Sequence, residues 1–391
     1  MTELNVSGSL QQPRVALCLM GGSVTGAMYQ IGALAALEHV LEGFEANAFS
    51  LYVGSSSGAS VAAALAGGAP VERLYRALLD PADAYFPLER KHILKFDFAE
   101  WARTFGTAAG MLRRITRGLV PRGPKPSPEA LWEELDRVSE SLPAGFFSLD
   151  AYERFLEAFF ARRGIPTTFD ALPRPLRVVA HDLDSGELAV FGAEGGPRAT
   201  VPRACIASTA FPPVFSPVRI GERHYIDAGP AQVAALDVAA SADVDIVVGI
   251  NPLVPLRPVG SCERRPTGSI RDQGAVGVMN QMVRIGMRSQ LRQVQERLAG
   301  RAHLVLIEPD PDAPVFFEPN PASFAARRSI LEAAYRTTRA RLEAWFDAGD
   351  ERLVRSPWRR RERTSTVPSP LHESDGPRSA SHLEQASERG A

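Results

Sequence analysis

"YVGSSSGASVAAALAGG" (52–68) sets three serines between two glycines and follows them with almost nothing but small residues. A flexible linker accounts for the serines but not for the Val-Ala-Ala-Ala-Leu-Ala that comes next. A buried strand over "AFSLYVGS" (48–55) that turns sharply into a helix accounts for both. Gly54-Ser55-Ser56-Ser57-Gly58 then fits G-x-S-x-G at a strand–helix junction, the setting of a nucleophile elbow. The turn strains the backbone, so Gly54 and Gly58 keep Cβ atoms out of its way, and alanines at 59 and 62–64 let the helix lie close to the sheet. Ser56 would stand at a helix N-terminus, where unpaired N–H groups favour negative charge, with the N–H of Ser57 aimed at a developing oxyanion. The competing reading of Ser56 is a plain helix N-cap.

Outward from this junction, strands and helices alternate. "PRVALCLM" (13–20), "PLRVVAHD" (175–182), "VDIVVGIN" (244–251) and "AHLVLIEP" (302–309) read as buried strands. Helical stretches fall at 26–44, 230–240, 273–299 and 322–347. Alternation of this kind predicts an α/β fold, a mainly parallel sheet covered on both faces. Residues 80–165 break it and read as a helical insertion or lid over a 13–347 domain. Residues 1–12 read as a flexible leader. The stretch 355–391, rich in Ser, Pro, Arg and Glu, reads as a disordered tail.

Of 391 residues, 44 Lys and Arg balance 45 Asp and Glu, which gives no global argument for nucleic acid. Three cysteines (Cys18, Cys205, Cys262) are too few and scattered for a disulfide framework or a zinc site. No metal and no cofactor is expected. No signal peptide or membrane-spanning run is visible, so the expected location is cytoplasmic.

A second glycine loop, "LMGGSVTGAMYQIGAL" (19–34), joins a strand to a helix. Ser23 occupies a glycine position of the dinucleotide fingerprint, and no Walker lysine is present. Gly21, Gly22 and Ser23 can still form a small anion-binding nest for an oxyanion; the bland alternative is a turn needed for packing.

Ser56 needs a base. None of the seven histidines makes a convincing triad: His39 lies in a helix, His92 in the insertion, His372 and His382 in the tail, and His303 at the start of a strand. His181 ends a strand, and His224 sits in a hairpin over "RIGERHYIDAG". Asp227 in "HYIDAGP" follows a strand and precedes two small residues, so its carboxylate can approach another backbone. In a dry site its basicity would rise. A turn aspartate is the bland reading.

The ordered set "GGSVTGAMYQIGALAALE", "VGSSSGASVAAALAGG", "LRVVAHDLDSGELAVFG" and "PRACIASTAFPPVFSPVRIGERHYIDAGP" resembles the patatin-like phospholipases over roughly residues 13–345. The resemblance implies a three-layer α/β/α sandwich and a Ser–Asp dyad, Ser56 and Asp227, that cleaves fatty acyl esters through a covalent acyl-enzyme. It implies oxyanion donors from Gly21, Gly22, Ser23 and Ser57. Two motifs depart from the family pattern. Ser23 and Thr25 stand where a glycine and a basic residue are usual, and Ala228 makes the aspartate motif Asp-Ala-Gly. These departures motivate an alternative, a weak or inactive lipid-binding or scaffold member of the same fold; a Ser-His-Asp esterase is a third reading. A lipid ester substrate is the expected partner. Within 88–125, nine Lys or Arg face three acids around Trp101, Phe105 and Ile115. That pattern fits either peripheral membrane contact or an amphipathic helix packed on the core.

Overall fold

β1 (Val15–Leu19), β2 (Leu51–Ser55) and β7 (Ile246–Ile250) are buried along their whole length, as strands covered on both faces must be. A computed structural model describes residues 13–80, 82–97, 101–102, 136, 142–229, 234–256, 269–311, 313–317 and 326–362. Its central sheet adds β3 (Leu176–Asp182), β4 (Leu188–Phe191), β5 (Val218–Ile220), β6 (Arg223–Asp227) and β8 (His303–Ile307). The order is β8-β7-β1-β2-β3-β6-β5, with β4 also on β3. The five strands from β8 to β3 are parallel, and β4, β5 and β6 are antiparallel.

The helices of seven residues or more among those described are α1 (Ser23–Val40), α2 (Ser57–Ala66), α3 (Val71–Leu79), α4 (Asp150–Ala161), α5 (Val201–Thr209), α6 (Ala234–Ala240), α7 (Gly274–Leu298) and α8 (Arg327–Asp347). They divide between the two faces of the sheet. Leu17, Leu19, Tyr52, Val178 and Ala180 point into a core shared with α1, α2, α5 and α8. Their neighbours Ala16, Cys18, Val53 and Val179 point into a second core with α6 and α7. Period-two alternation thus builds two cores and three layers, the α/β/α sandwich with a mainly parallel sheet that the sequence predicts.

Some boundaries differ from the sequence expectation. The first helix starts at Ser23 rather than 26 and ends at Val40, because Leu41–Glu42 pair with Arg359–Arg360. That pairing, with Trp358 buried against Phe44 at 5.2 Å between ring centroids, carries the compact unit through Arg360, past the expected tail boundary at 355. Residues 363–391 of the tail, and the leader, lie outside the described residues. So do residues 98–100, 103–135 and 137–141 of the insertion and, with them, most of the basic stretch 88–125. What is described of the insertion includes one helical turn at Arg90–Ile93, the pairing of Lys95–Phe96 with Phe147–Ser148, and α4.

Candidate active site

The register of one strand brings Ser56 and Asp227 together. β2 lies along β3 until Ser55 pairs with Val179. At the next position, Ala180 pairs with Asp227 at the end of β6. β4 already occupies the other flank of β3 from Val178 to His181, so β2 and β6 must share one flank and meet end to end. The chain leaves β2 at Ser56 where β6 arrives with Asp227. The Ser56 hydroxyl lies near enough to the Asp227 carboxylate to favour its ionised form. Both residues are buried, at 7% and 5% exposure.

Ser56 has φ 55° and ψ −129°, a conformation that L-residues avoid. Several contacts hold it there. Its N–H donates to Ser208 Oγ at 2.7 Å, and that hydroxyl donates to the Val179 carbonyl at 2.6 Å. Ser208 belongs to α5, whose start is fixed by Thr200 Oγ1 accepting from the Arg203 N–H and by Pro202 in the first turn. The flanking glycines are needed for close approach. A Cβ on Gly54 would lie 2.5 Å from Ala59 Cα, and one on Gly58 would lie 2.3 Å from the Leu19 carbonyl oxygen.

The second glycine loop abuts the same serine. A Cβ on Gly21 would come within 2.8 Å of Ser56 Cβ. Gly22 and Ser23 open α1, and neither α1 nor α2 has a side-chain cap or an acidic residue in its first turn. Two uncapped helix N-termini therefore converge beside Ser56, which favours a negative charge there. The absent side-chain cap on α2 also means that the Ser56 hydroxyl is not spent as an N-cap. Thr25, in place of a basic residue, donates to the Gly22 carbonyl at 3.2 Å and braces the loop. Gln30 Nε2 donates to the Met20 carbonyl and fixes the exit from β1. Ser23 sits at φ 57°, in the left-handed region that a glycine occupies at no cost.

Burial pushes the Asp227 carboxyl up to about 6, against the smaller opposing pull of the Ser56 hydroxyl and the Gly229 N–H, which donates to Oδ1 at 2.8 Å. The group is ionised at neutral pH yet a stronger base than an ordinary carboxylate. Ala228 is fully buried and is not at positive φ, so alanine suits this position.

Among the described residues, histidine stays away from this centre. His181 pairs with Ile226, one position from the Ala180–Asp227 pair, so strand alternation turns its side chain to the opposite face of the sheet from Asp227. His224 is exposed, and His303 bonds to the Arg352 carbonyl. Among the described residues, no group of three or more His, Cys, Asp or Glu could hold a metal.

Sequence reasoning missed four supports: Ser208, Gln30, Asn251 and Arg284. Asn251 follows β7, donates to Glu308 and accepts from the Leu253 N–H. Buried Arg284 on α7 donates to the Val254 carbonyl. Together they hold the segment whose Pro252 packs on Gly22 and Gly26. Nothing in their spacing announces these roles.

Beside Ser57 opens a narrow, mainly apolar cavity of about 70 Å³ between α1 and α2. Val24, Met28 and Ile31 of α1 line one wall, Val61 and Ala64 of α2 another, and Phe86 and Leu88 close it.

Fold and site together define a three-layer α/β/α protein with a serine at a strained strand–helix turn. The sequence profile of the patatin-like phospholipases matches residues 17–240, and the chain belongs to that family of lipid acyl hydrolases. Among solved structures, VipD from Legionella pneumophila aligns at 15% identity and TM-score 0.35, covering 85% of this chain and 67% of VipD. ExoU in its complex with SpcU from the type III secretion system of Pseudomonas aeruginosa aligns at 19% identity and TM-score 0.29, covering 85% of this chain and 52% of that one. Human GIVD cytosolic phospholipase A2 aligns at 12% identity and TM-score 0.28, covering 86% of this chain and 59% of that one. No curated protein matches the sequence. No helix among the described residues is long and apolar enough to cross a membrane.

Proposed function

We propose that this chain hydrolyses fatty acyl esters of lipids, in the manner of a phospholipase A or lysophospholipase, with Ser56 as nucleophile and Asp227 as base. The observation that carries the reading is the end-to-end meeting of β2 and β6 along β3, which brings the two buried side chains together. Asp227 takes the hydroxyl proton as Ser56 Oγ bonds to the carbonyl carbon. The resulting oxyanion faces N–H groups of Gly22, Ser23 and Ser57, each worth about 3 kcal/mol in such a role. Collapse breaks the ester bond, and Asp227 returns the proton to the departing alkoxide. Water then attacks the acyl-enzyme, gives its proton to Asp227, and the freed Ser56 oxygen takes it back as the fatty acid leaves. The apolar cavity beside Ser57 receives the acyl chain.

A fluorophosphonate probe tests this. The wild-type protein labels, and Ser56→Ala and Asp227→Asn lose both labelling and release of fatty acid from phospholipid, lysophospholipid and short-chain ester panels. Folded wild type that neither labels nor hydrolyses any of them supports the non-catalytic lipid-binding reading.

A further inference from the structure

The acyl cavity is not uniformly apolar. Along α2, Ser57 and Ser60 face it one turn apart, and the Tyr152 ring of α4 and Thr209 of α5 close the same side. Tyr152 Oη donates to Ser60 Oγ at 2.9 Å, with the buried Cys205 close by. Thr209 Oγ1 donates to the Cys205 carbonyl at 2.8 Å. The donors of Tyr152 and Thr209 are thus occupied, while their oxygens keep lone pairs as acceptors. Ser57 differs: its hydroxyl is buried, with the residue 8% exposed, and it makes no hydrogen bond among the described residues. It offers both a donor and an acceptor beside the nucleophile.

A straight hydrocarbon chain in this cavity leaves the Ser57 hydroxyl unpartnered and covers the oxygens of Tyr152 and Thr209, which costs binding. A chain with a hydroxyl close to its carbonyl accepts from Ser57 and donates to a Tyr152 or Ser60 oxygen. Three residues, ~4.5 Å of helix rise, separate the two polar positions on α2, a span that the first few carbons of an extended chain cover. Resting on the acyl-transfer reading of Ser56, we infer that the cavity selects acyl groups carrying an oxygen function near the carbonyl, as in 3-hydroxyacyl esters. A site built around a substrate hydroxyl discriminates strongly against the analogue that lacks it.

The experiment compares p-nitrophenyl octanoate with p-nitrophenyl 3-hydroxyoctanoate. Wild type favours the hydroxylated ester by roughly tenfold or more in kcat/KM. In Ser57→Ala and Tyr152→Phe that ratio falls toward one, whatever happens to the absolute rates. Titration of Ser56→Ala with octanoate and 3-hydroxyoctanoate asks the same question without chemistry, and the hydroxy acid binds more tightly. Hydrolysis of both esters at equal kcat/KM, or equal binding of both acids, overturns the inference and leaves the acyl hydrolase standing. Absence of hydrolysis and of fluorophosphonate labelling removes the hydrolase reading, and the titration then decides the chain preference by itself.

Discussion

Ser56 carries backbone strain that its own side chain does nothing to relieve, so other residues must hold it. Ser208 is the principal one, linking the Ser56 N–H to the Val179 carbonyl from a fully buried position. Ser208→Ala leaves both backbone groups without that partner and destabilises the fold by ~1–3 kcal/mol. If the hydroxyl also aims the nucleophile, kcat falls about tenfold or more while KM holds, since that loss is ~1.4 kcal/mol of transition-state binding. Steady-state kinetics beside a melting curve separates the roles, because a purely structural Ser208 lowers the midpoint and leaves kcat of the folded protein unchanged. Ser23 gives a test of opposite sign. At φ 57° it bears the cost of a left-handed backbone, so Ser23→Gly should raise stability by ~1 kcal/mol. A denaturant midpoint at or below that of wild type would count against strain at this position.

At the scale of elements, the two glycine loops work because α1 and α2 begin where β1 and β2 end. Gly58 fixes that spacing. A methyl there meets the Leu19 carbonyl, so Gly58→Ala must push α2 off the end of β1, at ~1–3 kcal/mol and with loss of fluorophosphonate labelling. A variant that labels at the wild-type rate would show that α2 does not need this approach. The strand–turn–helix junctions around Gly21 and Ser56 were readable in the sequence because each is local: glycines, small residues and apolar runs stand within a few positions of one another. Asp227 was readable less directly, through its small neighbours and its place in an ordered set of blocks. The supports were not readable. Ser208 lies 152 residues from the N–H it accepts, and Arg284 reaches Val254 across 30 residues and a turn of the fold. Tyr152 meets Ser60 across 92. Pairings at such separations depend on sheet order and helix placement, which periodicity does not encode. The same limit explains the boundary at 355: Trp358 reads as part of a polar tail until Phe44 is placed beside it.

For the molecule as a whole, the end-to-end meeting of β2 and β6 buries a carboxylate, and global stability must register it. Asp227 titrates near 6 in the folded protein against an ordinary 3.8. Below the lower value the group is protonated in folded and unfolded chains alike, and the fold carries no penalty from it. Between the two values the unfolded chain ionises while the folded one keeps its proton, so stability falls as pH rises. Above about 6 the loss is complete, and a shift of two units corresponds to roughly 3 kcal/mol. Asp227→Asn cannot ionise. It should match wild type near pH 4 and exceed it in stability by as much as ~3 kcal/mol above pH 6, while losing acyl hydrolysis entirely. Wild-type kcat/KM should fall on the acid side with an apparent pKa near 6, because in the proposed mechanism only the carboxylate accepts the Ser56 proton. Denaturant unfolding of both proteins across pH 4 to 8 checks the argument. Curves that stay parallel over the whole range would mean that Asp227 keeps an ordinary pKa, and that the site lacks the dry surroundings on which its basicity depends.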